Sequence, residues 1–190
     1  MRGDYHSHSV FDDGKSTLLE MAETADRMGL DYFGFSGHSY QPFDDSFCIK
    51  KENLEAYKNT AREIQKKFAE EGRRTKIFVG LELDFYGKPE ENMDYIIGSV
   101  HNILKDDIYC CVDENPEISS RTIRERFGGD PYKMTAAYYD TVEKLPEKTG
   151  CSIIGHFDLV TKFNETAHLF DAQNPIYLKR AGEVMESLVK

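Results

Sequence analysis

No run of apolar residues in this 190-residue sequence approaches the roughly 20 needed to span a bilayer, and the opening MRGDYHSHS has no apolar core of signal-peptide length. A soluble, cytoplasmic protein is expected. Basic charge is also scarce: 24 Lys and Arg stand against 34 Asp and Glu, for a net charge of −10, and the cations are scattered instead of forming a stripe or tail. Such a field repels polyanions, so nucleic acid is not an expected partner, although bound divalent cations would reverse its sign locally. Cys48, Cys110, Cys111 and Cys151 make no CxxC pair, and reduced thiols are the natural reading. The sequon at Asn164, Glu165 and Thr166 then carries no meaning. Internal repeats, low-complexity tracts and domain-dividing linkers are all missing. At 39% hydrophobic, the chain suits a single globular domain over residues 1–190.

What is present alternates between two periods. Residues 3 to 8 are short and without helical period, and are assigned a first strand. Thr17 and Glu20 fit a capping box, Leu18, Met21, Ala22, Ala25 and Met28 recur at helical spacing, and Gly29 supplies the stop. DYFGFS at 31 to 36 is a compact aromatic run of the kind that forms a buried parallel strand. Leu54, Tyr57, Ala61, Ile64 and Phe68 then step through a charged helix ending near Gly72. KIFVGLELDF at 76 to 85 and DYIIGSVH at 94 to 101 read as a third and a fourth strand. Periodicity fails from about 104 to 130, which reads as a polar insertion with one short hairpin around IYCCV. A helix from about 131 to 147, a fifth strand at 151 to 157 and a helix from about 175 to 190 complete the pattern. Strands alternating with helices call for a parallel sheet, open or closed into a barrel.

Five of the six histidines fall at the C-terminal ends of expected strands or just after them: His6, His8, His38, His101 and His156. Glu82 closes KIFVGLE in the same way. In an α/β barrel these ends meet on one face, where that fold builds its active sites. A lone histidine near a strand end is more often a structural hydrogen-bonder, but the joint pattern favours metal. His6 and His8, one residue apart on an extended segment, point to the same side and form a two-point clamp. Glu82 lies in a strand otherwise apolar enough to be buried, where coordination of a cation would offset its desolvation. Histidines and carboxylates without thiolates suit zinc, manganese or iron, and the donors exceed what one tetrahedral ion requires. Two or three ions are expected. They would lower the pKa of a bridging water and neutralise phosphate oxygens, which makes phosphoester hydrolysis the chemistry that best uses them.

With HSH at 6 to 8, SGHS at 36 to 39, GLELDF at 80 to 85, IGSVH at 97 to 101 and IGHFDLVTKF at 154 to 163 in this order, the sequence resembles the PHP (polymerase and histidinol phosphatase) family, and within it the histidinol-phosphatase branch. The resemblance implies an α/β fold, a distorted (β/α)7 TIM-like barrel, holding a trinuclear centre at which water attacks a phosphomonoester. By that pattern His6 and His8 hold one ion, Glu82 bridges it to a second completed by His101 and His156, and His38 holds the third. Asp13 would join His38, with Asp12 as the alternative ligand. Lys162 falls where the branch places a basic phosphate-binding residue, an exposed lysine stem being the bland alternative. Asp158 is expected to support the loop after His156, and His168 to lie on the surface.

The family's later Asp-x-His motif is missing after residue 163. Five parallel strands do not close a barrel, and an open end leaves strand edges unpaired. Three explanations compete: a fragment lacking the last strands, closure by pairing with another subunit, or a natural short form with little activity. The first is favoured, because VMESLVK breaks off in mid-helix. The expected reaction is hydrolysis of L-histidinol phosphate, a small-molecule substrate. Alternatives are a PHP phosphatase acting on phosphotyrosine or a sugar phosphate, and an idle metal-binding module.

Overall fold

The structure, a computed structural model, describes residues 1–189; the expected end of the last helix at Lys190 lies outside them. Contacts group these residues into two compact units, Met1–Gly98 with Cys151–Ile153, and Ser99–Gly150 with residue 154 onward.

The first unit contains β1 (Gly3–Asp4), α1 (Leu18–Arg27), β2 (Tyr32–Phe35), α2 (Leu54–Glu70), β3 (Lys76–Asp84) and most of β4 (Tyr95–Ser99). α1 starts where expected: Thr17 donates from N and Oγ1 to Glu20 Oε2 at 2.8 Å, and the Glu20 amide returns a bond to Thr17 Oγ1 at 3.2 Å. β1 runs parallel to β2, pairing Gly3 with Tyr32, and β2 runs parallel to β3, pairing Phe35 with Val79. One helical face of α1 (Leu18, Ala22, Ala25) and one of α2 (Tyr57, Ala61, Ile64, Phe68) bury against Phe33, Phe35, Ile77, Val79 and Leu81. Each large side chain so buried contributes about 1.5–3 kcal/mol.

Tyr57 does more than fill space. Fully buried, its hydroxyl donates to the Gly80 carbonyl at 2.8 Å and accepts from the Gly37 amide at 3.2 Å, tying α2 to β3 and to the residue before His38. Tyr57→Phe is expected to leave both backbone groups without this partner and to cost about 1–3 kcal/mol. A urea midpoint unchanged from the parent would refute that role.

The second unit holds a hairpin of β5 (Asn102–Lys105) and β6 (Ile108–Cys111), then α3 (Pro116–Arg126), α4 (Pro131–Val142) and α5 (Leu145–Thr149). After β7 (Ile153–Ile154) come α6 (Asn164–Ala167) and α7 (Pro175–Leu188). α7 packs on α4 through a 2.9 Å hydroxyl contact between Tyr139 and Tyr177 and through Arg180, which reaches Asp140 and Glu143. The main sheet has the order β1-β2-β3-β4-β7.

The IYCCV hairpin is present, but the stretch after it, expected as part of a polar insertion without periodicity, holds a helix. Pro116 there begins a helix: at the first helical position its missing N–H costs nothing, and Asn115 caps α3 by accepting from the Ile118 amide at 2.9 Å. The expected helix over 131–147 divides in two, with Pro146 standing in the first turn of the second piece. The strands expected at 3–8 and 151–157 shrink to two residues each.

Candidate metal centre

The first strand loses its regular ladder where its histidines begin, and serine hydroxyls take over. Ser7 donates from its amide to Ser36 Oγ at 2.8 Å and from its hydroxyl to the Gly34 carbonyl at 2.9 Å, while the Ser36 amide reaches the Ser7 carbonyl at 3.2 Å. The segment therefore stays extended beside β2, and alternation sends His6 and His8 the same way, with ring centroids 5.2 Å apart. β2 hands on to β3 through a parallel bridge between His38 and Glu82. The Ser39 amide donates to the Glu82 carbonyl at 2.8 Å and the Glu82 amide to the Gly37 carbonyl at 3.1 Å. Three neighbouring backbones thus deliver their donors, two by sheet pairing and the first by its serine bonds to β2.

Glu82 Oε2 is the focus. It lies 3.0 Å from His6 Nε2, 3.4 Å from His8 Nε2 and 3.0 Å from His38 Nδ1, and its side chain has no solvent exposure. The His8 and His38 rings stack, with centroids 4.2 Å apart. One donor atom from each of His8, Asp12, Asp13 and His38 lies within 4.8 Å of all the others.

The two aspartates have different surroundings. Asp12 is fully buried in its side chain and accepts from His8 Nδ1 at 2.7 Å, from the Ser9 amide at 2.8 Å and from the His38 amide at 3.1 Å. Asp13 is half exposed, 3.6 Å from His8 Nδ1 and 3.9 Å from His38 Nε2. Burial would raise the Asp12 carboxyl, but its hydrogen bonds from His8, Ser9 and His38 outweigh that and hold it below its ordinary value. Burial pulls the His8 imidazole down, yet the bond to Asp12 and the charges of Glu82, Asp12 and Asp13 leave it raised. Asp12 therefore fixes a proton on His8 Nδ1 and turns Nε2 toward Glu82, as a carboxylate behind a metal-binding histidine does. Gly14 closes this loop because any Cβ there would strike the His8 carbonyl.

A carboxylate oxygen ringed by three imidazole nitrogens in a water-poor place suits a divalent cation. Without one, burying that charge costs several kcal/mol, on the order of the penalty for any desolvated ion. Nitrogen and carboxylate donors without thiolate match zinc, manganese or iron.

In the second unit His101 and His156 come together, with ring centroids 5.0 Å apart. The His101 carbonyl accepts from the Val112 amide at 2.9 Å, and the His156 carbonyl accepts from Tyr138 Oη at 3.1 Å and the Leu159 amide at 3.0 Å. Lys162 Nζ donates to Asp113, at 3.0 Å to its carbonyl and 3.2 Å to Oδ2. Asp158 braces the loop after His156 through its carbonyl, which accepts from the amide and hydroxyl of Thr161 at 2.8 and 2.9 Å. His168 is exposed, at the end of α6. Sequence reasoning did not find the orienting contacts of Asp12, the serine track of Ser7 and Ser36, or Asp113. Only Asp12 carried a signal, its spacing of four from His8.

The fold and this donor set define an α/β protein with a histidine–carboxylate centre suited to divalent cations, at C-terminal strand ends. The chain belongs to the PHP family: the PHP domain matches residues 4–189, across both units. Among curated relatives, a protein of Schizosaccharomyces pombe named "probable histidinol-phosphatase" is 26% identical over 182 residues, covering 83% of this chain and 56% of its own. One of the same name from Deinococcus radiodurans is 29% identical over 194 residues, covering 96% of this chain and 68% of its own. The chain thus spans little more than half the length of the first relative and about two thirds of the second. A solved structure from Listeria monocytogenes, provisionally named histidinol phosphatase, has a TM-score of 0.78 at 16% identity over 99% of this chain and 79% of that one. Histidinol phosphate phosphatase of Lactococcus lactis, solved with zinc, L-histidinol and phosphate, gives a TM-score of 0.59 at 21% identity over 96% of this chain and 70% of that one. These two likenesses establish the PHP-type, TIM-like fold. No helix among the described residues is long and apolar enough to cross a membrane.

Proposed function

We propose that this chain acts as one PHP domain, a cytoplasmic metal-dependent phosphomonoesterase that hydrolyses L-histidinol phosphate to L-histidinol and phosphate, in histidine biosynthesis. The observation that carries the reading is the convergence of His6, His8 and His38 on one oxygen of buried Glu82. These residues hold the ions together with Asp13, and His101 and His156 serve as further ligands. The donor count calls for two or three zinc, manganese or iron ions. When bound, such ions supply positive charge to phosphate oxygens and acidify water at neutral pH.

The chain's own residues supply position and protonation. Asp12 keeps the His8 proton on Nδ1 and leaves Nε2 as the donor. Lys162 offers an ammonium to a phosphate oxygen, and Asp113 holds that ammonium in place. L-Histidinol phosphate, mixed with the chain and added manganese or zinc, is expected to release phosphate faster than phosphotyrosine does, and EDTA is expected to stop it. Bound metal without turnover on either ester would sink the enzymatic reading. Turnover of phosphotyrosine alone would move the substrate elsewhere within the family. Lys162→Ala is expected to raise KM about 3- to 10-fold with metal content unchanged, because it removes ground-state phosphate binding. An unchanged KM would return Lys162 to a purely structural ion pair with Asp113.

A further inference from the structure

A cavity of about 340 Å³ lies in the first unit, walled by the segment after His38 and by the loop after β3. Leu54, Tyr40 and Tyr86 line it, Leu81 stands in its wall closed to solvent, and Lys51 and Lys88 reach it from separate elements, the turn before α2 and the loop after β3. Leu81 and Glu82 are consecutive in β3, so their side chains leave opposite faces of the strand. Leu81 belongs to the core packed under α1 and α2. The cavity therefore lies on the helix side of β3, away from the carboxylate cluster.

Its electrostatics are unusual for a chain of net charge −10. Glu90 also lines it, but that carboxylate is engaged by Lys58, 3.5 Å away. Lys51 and Lys88 are exposed and have no ion-pair partner among the described residues, whereas Lys50 and Lys58 next to them are each paired. Two ammonium groups without ion-pair partners beside a lining of leucine and phenol rings are the features of a pocket for an anion carried on a compact hydrophobic body.

We propose that this cavity is a binding site for a small organic anion, a carboxylate or phosphate group on an aromatic or branched apolar body. The anion meets Lys51 and Lys88, and the body lies against Leu54, Tyr40 and Tyr86. Ser39 lines the same cavity and donates its amide to the Glu82 carbonyl, so the occupant touches the residue next to His38 without needing metal.

The test uses the full chain in EDTA, titrated with benzoate and, separately, with benzylphosphonate, followed by amide chemical shifts. Benzyl alcohol is the neutral control. Shifts at Ser39, Leu54 and Lys88, with those of His6 and His8 unmoved, are expected for both anions and not for the alcohol. Binding of one anion and not the other assigns the pocket to that headgroup. The double variant Lys51→Ala/Lys88→Ala is expected to bind at least about tenfold more weakly, with an unchanged far-UV spectrum and unchanged metal content. Equal affinity in the double variant, equal binding of the alcohol, shifts confined to the histidines, or no binding would each overturn the proposal. The titration needs neither metal nor turnover, so its failure and failure of the phosphatase reading are separate results.

Discussion

Glu82→Ala is expected to empty the centre of metal and to abolish phosphate release together, while the chain stays folded. Three imidazoles share one oxygen of this carboxylate, so its loss removes the donor common to all three and the negative charge that offsets bound cations. A fall of at least about 10²-fold in kcat/KM is the expected size, since removing even outer partners of metal ligands costs 10- to 100-fold. The fold should survive, because the backbone of residue 82 keeps its bonds to Ser39 and Gly37 whatever its side chain. Stability supplies a second signature. Ions that bind only the folded chain stabilise it by about 2.7 kcal/mol at a hundred times Kd, so added manganese or zinc should raise the parent's Tm and leave the variant's unmoved. In EDTA the order should narrow or invert, because the parent alone then carries a buried carboxylate without the cation that offsets part of its desolvation. Elemental analysis and thermal scans with and without metal check both. A variant that retains the parent's metal content would remove Glu82 from the ligand set.

The strand ends that carry these donors were legible because hydrophobic period and histidine position coincide. DYFGFS and KIFVGLELDF each run into a histidine or a carboxylate, and both strands form as read. The first clamp was legible for a different reason: an H-x-H pair on any extended segment faces one way, even though the regular strand ends at Asp4 and the extension depends on Ser7 and Ser36 hydroxyls. Those hydroxyls were invisible, since serine in a polar segment has no distinguishing pattern. α3 was missed because its buried face is only Ser119, Thr122 and Ile123, which leaves almost no apolar period. Its start signal, Asn115 followed by Pro116, can also be read as a loop. The roles of the paired aspartates depend on which one turns inward, and that is decided by three donors, one of them the amide of His38. No spacing rule within residues 4 to 14 contains that amide.

Gly80→Ala is expected to destabilise the chain by roughly 3–5 kcal/mol, the sum of overpacking and a lost buried hydrogen bond. Gly80 is the G of GLELDF, and in sequence it reads only as part of a motif. Gly80 and Glu82 face the same side of β3, and at Gly80 that side is covered by the Tyr95 ring. A Cβ at Gly80 would meet three atoms of that ring closer than 3.0 Å, and one at Gly34 in β2 would meet its hydroxyl. Tyr95 cannot simply step aside. Its hydroxyl reaches the Tyr5 carbonyl at 2.7 Å and the Phe35 carbonyl at 2.9 Å, and its ring stands edge-on to Tyr5. Two glycines in adjacent strands thus leave room for one aromatic ring beneath the carboxylate cluster, and that ring grips the residue immediately before His6. With total stabilities of typical domains near 5–15 kcal/mol, the single variant should lose much of its urea resistance. Gly80→Ala combined with Tyr95→Leu removes the collision, so the pair should be less destabilising than the sum of the singles, by about 1–3 kcal/mol of coupling. Metal affinity of the double variant should nevertheless stay below the parent's, because Tyr5 no longer has the donor that sets the path into His6. A Gly80→Ala chain with the parent's urea midpoint, or additive singles, would mean that the ring does not fill this gap.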